Sequence, residues 1–274
     1  MAPLVVIAMV VSTAGELPGR KKSSEGVAFL GFDRNEYPGD AALSALRRTF
    51  SFAAYWLNTP PGASANSWTG KREIVRRAGF GFLLLFNGRP DRELRESSNA
   101  ADLGRSDAKT AVAAAKREGF PKGSVLFLDQ EEGGLMLPEQ KTYIYAWVDG
   151  VNGSGYRAGI YCSGIAAPAG NASIVTANDL RENAAGRHIA FWVANDSCPP
   201  SPGCSYPERH PLPSDTETRF ATVWQYAQSP RRGDFARGCT NYASDGNCYP
   251  PGLAADKIFV DLDSATSPDP SRGR

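Results

Sequence analysis

Histidine is nearly missing from this sequence. The two present, His188 and His210, are too few and too poorly placed for a Ser-His-Asp set, and no Gly-x-Ser-x-Gly elbow accompanies them. Serine hydrolase chemistry is thereby set aside. Gly-x-x-x-x-Gly-Lys-[Ser/Thr], Gly-x-Gly-x-x-Gly and His-Glu-x-x-His are absent as well, which leaves nucleotide-binding and zincin readings without a foothold. An excess of charge of one sign is also lacking: 30 Lys and Arg against 29 Asp and Glu give a formal net charge of +1. No global field then draws the chain to nucleic acid or to anionic membrane. Its longest apolar run, residues 4–11, falls well short of the roughly 20 residues that span a bilayer, so no stable membrane anchor is expected.

What is present suits one α/β barrel. The 274 residues match a fold that usually takes about 250. A hydrophobic content of 42% with 22% charged residues is enough to bury a sizeable core. The apolar run near the N-terminus is followed by small residues, with Ser12 and Ala14 placed as a signal peptidase requires. Residues 1–14 are therefore expected to be a signal peptide and 15–26 a polar linker, making the protein secreted, periplasmic or cell-wall associated. Cys198 and Cys204 bracket one short loop, and Cys239 and Cys248 bracket another. In an exported protein such pairs read as disulfides, and their spacing is not that of tight zinc knuckles. Four cysteines allow three connectivities; local pairing is expected. Cys162, within an apolar stretch, is expected to be a buried free thiol.

Short β-rich runs alternate with helical patterns from residue 27 onward, the order of βαβ units around a parallel sheet. Eight strands are expected, over 27–33, 52–58, 80–87, 124–131, 157–163, 188–195, 222–227 and 258–263. Helical periodicity is clearest over 107–118, which ends at Gly119, and after Pro138, where Ile144, Trp147, Val148 and Val151 share a face. Shorter helices are expected over 41–48, 71–77 and 176–185. In 197–219 and 229–256, Pro, Gly, Ser and Cys dominate and no helical period survives, so the last third carries degenerate helices. The reading is a TIM-like (β/α) barrel over 27–265 with a disordered tail, 266–274, acting as a monomer.

In such barrels the reactive groups project from the C-terminal ends of the strands. Asp129 and Glu131 lie two apart at the end of the fourth strand and so share a face. Asp33 and Asp261, on the first and eighth strands, are brought beside the same opening. Glycosidic cleavage needs one carboxyl group to protonate the leaving oxygen and a negative group to stabilise or attack the oxocarbenium centre. Close carboxylates push one another's pKa values apart, which provides both. The alternative is that the acids only cap loops or pair with bases such as Arg34 or Arg89. An oxygen-rich set also suits Ca²⁺ or Mg²⁺, but no metal or other cofactor is expected. Asn87 and Gln225 at strand ends, and the rings of Tyr55, Trp56, Tyr161, Trp192, Trp224 and Tyr226, are candidates for gripping a polysaccharide; core filling is the equal alternative for each ring.

In order, Gly-Phe-Asp (31–33), Asp-Gln-Glu (129–131), Gly-Ile-Tyr-Cys-Ser (159–163), Phe-Trp-Val-Ala (191–194), Trp-Gln-Tyr (224–226) and Val-Asp-Leu-Asp (260–263) resemble the strand-end motifs of glycoside hydrolase family 25, the Chalaropsis-type lysozymes. The likeness is closer to a bacterial glycoside-hydrolase-like family that takes its name from a secreted mycobacterial protein. It shares the opening Gly-Phe-Asp and the run from Asp107 through Gly119-Phe120-Pro121 to Asp-x-Glu. The resemblance implies a peptidoglycan or related polysaccharide substrate, with Glu131 as general acid and Asp129 orienting or stabilising. Asp33 and Asp261 would line the same pocket, and a substrate acetamido group could serve as nucleophile. The third strand departs from the lysozyme pattern: it closes on Leu85-Phe86-Asn87-Gly88 where lysozymes carry an acidic residue, which fits the mycobacterial-type family.

Overall fold

The computed structural model describes residues 26–196, 211–216, 218–228 and 258–274. Its strands, in chain order, are β1 (Phe29–Asp33), β2 (Phe52–Trp56), β3 (Gly81–Asn87), β4 (Val125–Asp129), β5 (Arg157–Ser163), β6 (Ala166–Ala169), β7 (Ala172–Val175), β8 (Ala190–Ala194), β9 (Val223–Ala227) and β10 (Asp261–Ala265). Eight of them close into a barrel in the order β1-β10-β9-β8-β5-β4-β3-β2, while β6 and β7 form a separate hairpin. Each of the eight expected strands has its counterpart; the hairpin was not expected.

One pairing corrects the sequence reading. From β1 through β9 the barrel neighbours are parallel, but β10 runs antiparallel to both β1 and β9. It also begins at Asp261, where the expected strand was nearly over. Side-chain alternation reports which face a residue occupies and is silent on strand direction. The reversal matters for the site, because it brings the start of β10 to the rim where the parallel strands end, and Asp261 lies opposite Asp33.

Alternation sorts the strand residues into an interior set and an exterior set. Phe52, Phe127 and Trp192 fill the interior, all essentially without exposure. Room for them comes from glycine: a Cβ on Gly159 would sit 2.5 Å from the Phe127 ring. On the outside, the rings of Tyr55, Phe82 and Phe120 meet edge to face. Beyond them lie α1 (Leu43–Arg47), α2 (Arg72–Arg77), α3 (Asp91–Leu94), α4 (Ala100–Arg117), α5 (Pro138–Asn152) and α6 (Thr176–Glu182). α4 starts about two turns earlier than the expected 107–118 and runs straight through Gly104. Its missing side chain lets α4 meet α5, where a Cβ would lie 2.2 Å from the Tyr143 carbonyl oxygen.

The C-terminal residues are a second correction. Expected to be disordered, they seal the barrel's lower end. Phe82 N donates to Asp269 Oδ1 (2.8 Å), Leu84 N to Ser271 Oγ (2.9 Å) and Val125 N to the Ser271 carbonyl (2.9 Å). β3 and β4 pair only from Leu84 and Leu126 upward, so the tail satisfies backbone donors that the splayed strand starts leave open. Polar composition suggested a free end; tied-down backbone groups override it.

Of the segments expected to lack full helices, 197–219 shows one 3-10 turn, Pro213–Asp215, among its described residues, and 229–256 lies outside the described residues. So do the expected signal peptide, nearly all of the linker, His210, and the disulfide candidates Cys198, Cys204, Cys239 and Cys248. Cys162 is a buried free thiol, its pKa pushed above the usual thiol value by that burial. No helix among the described residues is long and apolar enough to cross a membrane.

Candidate functional site

The fourth strand carries Phe127 and Asp129 inward and Leu126 and Leu128 outward. Its ladder continues one step past the strand, with Gly88 N donating to the Asp129 carbonyl (3.1 Å) and Gln130 N to the Tyr161 carbonyl (3.0 Å). The chain then leaves the barrel, and the next two acids part ways. Glu132 accepts from Asp91 N (2.9 Å), at the first turn of α3, and from Gln130 Nε2. That leaves it a loop brace, while Glu131 turns over the barrel mouth.

Asp33, Asp129, Glu131 and Asp261 line one cavity of about 70 Å³. Asp33 and Asp261 are 6% exposed and Asp129 3%, whereas Glu131 is exposed. The four carboxyl groups therefore sit in unlike surroundings, three at the floor and one at the mouth. Trp56, Tyr161 and Trp192 provide aromatic walls, and Gln225 with Gln228 completes one side. Among the described residues, no three His, Cys, Asp or Glu side chains gather in a metal-binding arrangement.

A hydrogen-bonded chain runs beneath the carboxylates. Trp192 Nε1 donates to Asp263 Oδ1 (3.0 Å), Asp263 shares the inward face of the β1–β10 pair with Asp33, Gln225 Nε2 donates to Asp33 Oδ2 (2.7 Å), and the Tyr161 hydroxyl donates to Gln225 Oε1 (2.8 Å). Burial, reinforced by the neighbouring Asp33 and Asp261 carboxylates, holds Asp263 well above the ordinary carboxylate range; the Trp192 N–H pulls the other way. Burial also lifts Tyr161 well above its usual value, aided by Asp129, Asp33, Glu131 and Asp261 around it, so its hydroxyl keeps its proton. Arg34 follows Asp33. Burial lowers its pKa against the opposing pull of Glu36 and Asp261, and its Nη2 lies 3.6 Å from Glu36.

Of the residues singled out in the sequence, Asp33, Trp56, Asp129, Glu131, Tyr161, Trp192, Gln225 and Asp261 come together at the cavity. Tyr55, Asn87, Trp224 and Tyr226 do not line it. Tyr55 points outward and donates to Glu118 Oε2 (2.5 Å). Trp224 likewise points away, its Nε1 bonded to the Asn195 carbonyl (2.8 Å). Asn87 is locked to the end of β2, its N and O paired with the Asn58 amide and its Nδ2 donating to the Thr59 carbonyl (3.0 Å). Adjacent residues on a strand cannot share a face: Trp56 excludes Tyr55, and Gln225 excludes Trp224. That signal separates Trp56 from its neighbour Tyr55 among the candidate rings, since Phe52, Ala54 and Trp56 form one alternating set. Asp263 closes the same run as Asp261 and shares its face, yet it was not given a role beside it.

No curated protein matches the sequence. Among solved structures, an uncharacterized protein from B. stearothermophilus superposes with a TM-score of 0.56 at 20% identity, covering 86% of this chain and 95% of that one. The Mycobacterium tuberculosis Tat-secreted protein Rv2525c, in complex with L-tartrate, gives 0.52 at 14% identity over 89% and 97%. A family 25 glycosyl hydrolase from Bacillus anthracis gives 0.50 at 14% identity over 89% and 91%. At these identities the likeness is one of fold. The family model for the Rv2525c-like, glycoside hydrolase-like domain matches residues 62–229, more than half of the sequence and most of the barrel, and the chain belongs to that family.

Proposed function

We propose that the protein is an exported glycoside hydrolase acting on cell-wall peptidoglycan or a related polysaccharide, with Glu131 as the general acid. The observation that carries this reading is the division of labour between adjacent acids: Glu131 stands exposed over three buried carboxyl groups, while Glu132 is held away by Asp91 and Gln130. An acid at the mouth can reach a leaving-group oxygen, and buried carboxylates below it can stabilise positive charge developing at the sugar carbon. Asp129, two residues before Glu131, takes the orienting or stabilising role, and Asp33 and Asp261 complete the floor. Trp56, Tyr161 and Trp192 offer faces and edges to a sugar ring.

A second reading is a catalytically idle barrel that binds glycans. The cavity favours it in one respect: about 70 Å³ is far below the roughly 300–1,000 Å³ of common ligand clefts, room for a substituent more than for a whole ring. Release of reducing ends from purified peptidoglycan and from a panel of soluble glycans separates the two. The hydrolase reading expects release by the wild type that Glu131→Gln abolishes with the fold intact. Binding without release on every substrate supports the idle barrel.

A further inference from the structure

We infer that Asp263 is a positioning residue: it remains a neutral carboxylic acid that donates to Asp33 and so sets the direction of a hydrogen-bond relay ending with Tyr161 as an acceptor toward the cavity.

Donor and acceptor identities decide the direction step by step. The Trp192 indole N–H can only donate, so Asp263 Oδ1 must accept. Asp263 Oδ2 is fully buried, and among the described residues no N–H or hydroxyl group reaches it; the β1–β10 register, which pairs Gly31 with Asp263 and Asp33 with Asp261, puts the Asp33 carboxyl group on the same inward face beside it. Two ionised carboxylates have no proton to share, so one of the pair carries one. Asp263, with no exposure, pays the larger desolvation cost as an anion, whereas Asp33 is nearer the opening and accepts from Gln225 Nε2 at 2.7 Å. The proton therefore resides on Asp263, and Asp33 is the anion.

The rest of the relay follows. With its Nε2 committed to Asp33, Gln225 turns its carbonyl oxygen to the Tyr161 hydroxyl (2.8 Å) and to Gln228 Nε2 (3.2 Å). Reversing the amide would set its oxygen against the Asp33 carboxylate and its NH₂ against that of Gln228, two repulsive contacts in a dry setting. Tyr161 has spent its one proton on Gln225, so only its lone pairs face the cavity it lines. A hydroxyl or amide N–H of a bound molecule is welcome there; an acceptor is not. The charged and titratable groups facing Asp263 are Asp33 on β1 and Asp261 on β10, with Asp129, Glu131 and Tyr161 further around the cavity. Burial favours keeping the proton on Asp263, and Asp33 and Asp261 act in the same direction.

The protonation claim stands apart from the hydrolase reading; only its functional arm rests on that reading. Asparagine reproduces a neutral acid, its Oδ1 accepting from Trp192 and its Nδ2 donating to Asp33. The infrared difference spectrum of the whole protein at neutral pH, wild type minus Asp263→Asn, is expected to lose one carboxylic-acid carbonyl band and no carboxylate band. Loss of a carboxylate band instead overturns the inference, whether or not the protein hydrolyses anything. In the peptidoglycan assay, Asp263→Leu is expected to cut release at least about tenfold by leaving Asp33 with Gln225 Nε2 but without the Asp263 proton, and Asp263→Asn to restore it to within about threefold. Equal losses in both variants overturn the relay. If Asp263→Leu fails to fold, the spectrum of Asp263→Asn still decides.

Discussion

The upper and lower ends of the barrel are built from the same strands with the same alternation, yet they do opposite things. At the lower end, Phe52 and Phe127 fill the interior and the C-terminal residues close it, with Ser271 wholly buried against β3 and β4. At the upper end, five of the eight barrel strands present a polar side chain to the cavity: Asp33, Asp129, Tyr161, Gln225 and, through the reversed β10, Asp261. A single two-residue step up a strand, from Phe127 to Asp129, crosses from packing to chemistry. The lower end stabilises the scaffold and the upper end spends that stability on crowded acids.

Substitutions at the two ends are expected to separate in their effects. The largest loss of stability belongs to the lower half: Phe127→Ala should cost about 3–5 kcal/mol in denaturant unfolding, because Gly159 offers no side chain to fill the gap. Ser271→Ala should cost about 1–3 kcal/mol by leaving Leu84 N buried without an acceptor; no change in stability would show that the tail does not seal the barrel.

At the upper end the contrast appears as pH dependence. Asp263 holds its proton more tightly folded than unfolded. Its contribution to stability is thus complete below the ordinary aspartate value of about 3.9 and is lost as pH rises through the raised folded value. Asp263→Asn cannot titrate there, so wild-type stability measured relative to the variant should fall as pH climbs above about 4. A rising difference would put the proton elsewhere. The smallest effect is expected on the barrel's outer face, where Tyr55→Phe removes the bond to Glu118 at about 0.5–1.5 kcal/mol and leaves glycan release as it was.

Much of this was legible before any coordinates, and the gaps have physical causes. Apolar runs closed by polar residues identified all eight barrel strands and the Asp129 and Glu131 pair, because period-two alternation and strand-end polarity are local signals. Strand direction is not local, so the reversal of β10 stayed hidden, and with it the placing of Asp263 below Asp261. The fate of the C-terminal tail depended on backbone donors of β3 and β4 nearly 150 to 190 residues away, which composition cannot report. Tyr55 and Trp224 were chosen for ring chemistry where counting alternation from Phe52 and Gln225 would have turned both outward.

The central claim is that Glu131, rather than its neighbour, is the acid at the mouth of this site. Reducing-end release from purified peptidoglycan by wild type, Glu131→Gln and Glu132→Gln tests it most directly. A fall of at least about 100-fold is expected for Glu131→Gln and a much smaller loss for Glu132→Gln, with both proteins folded. Release that survives Glu131→Gln would contradict it.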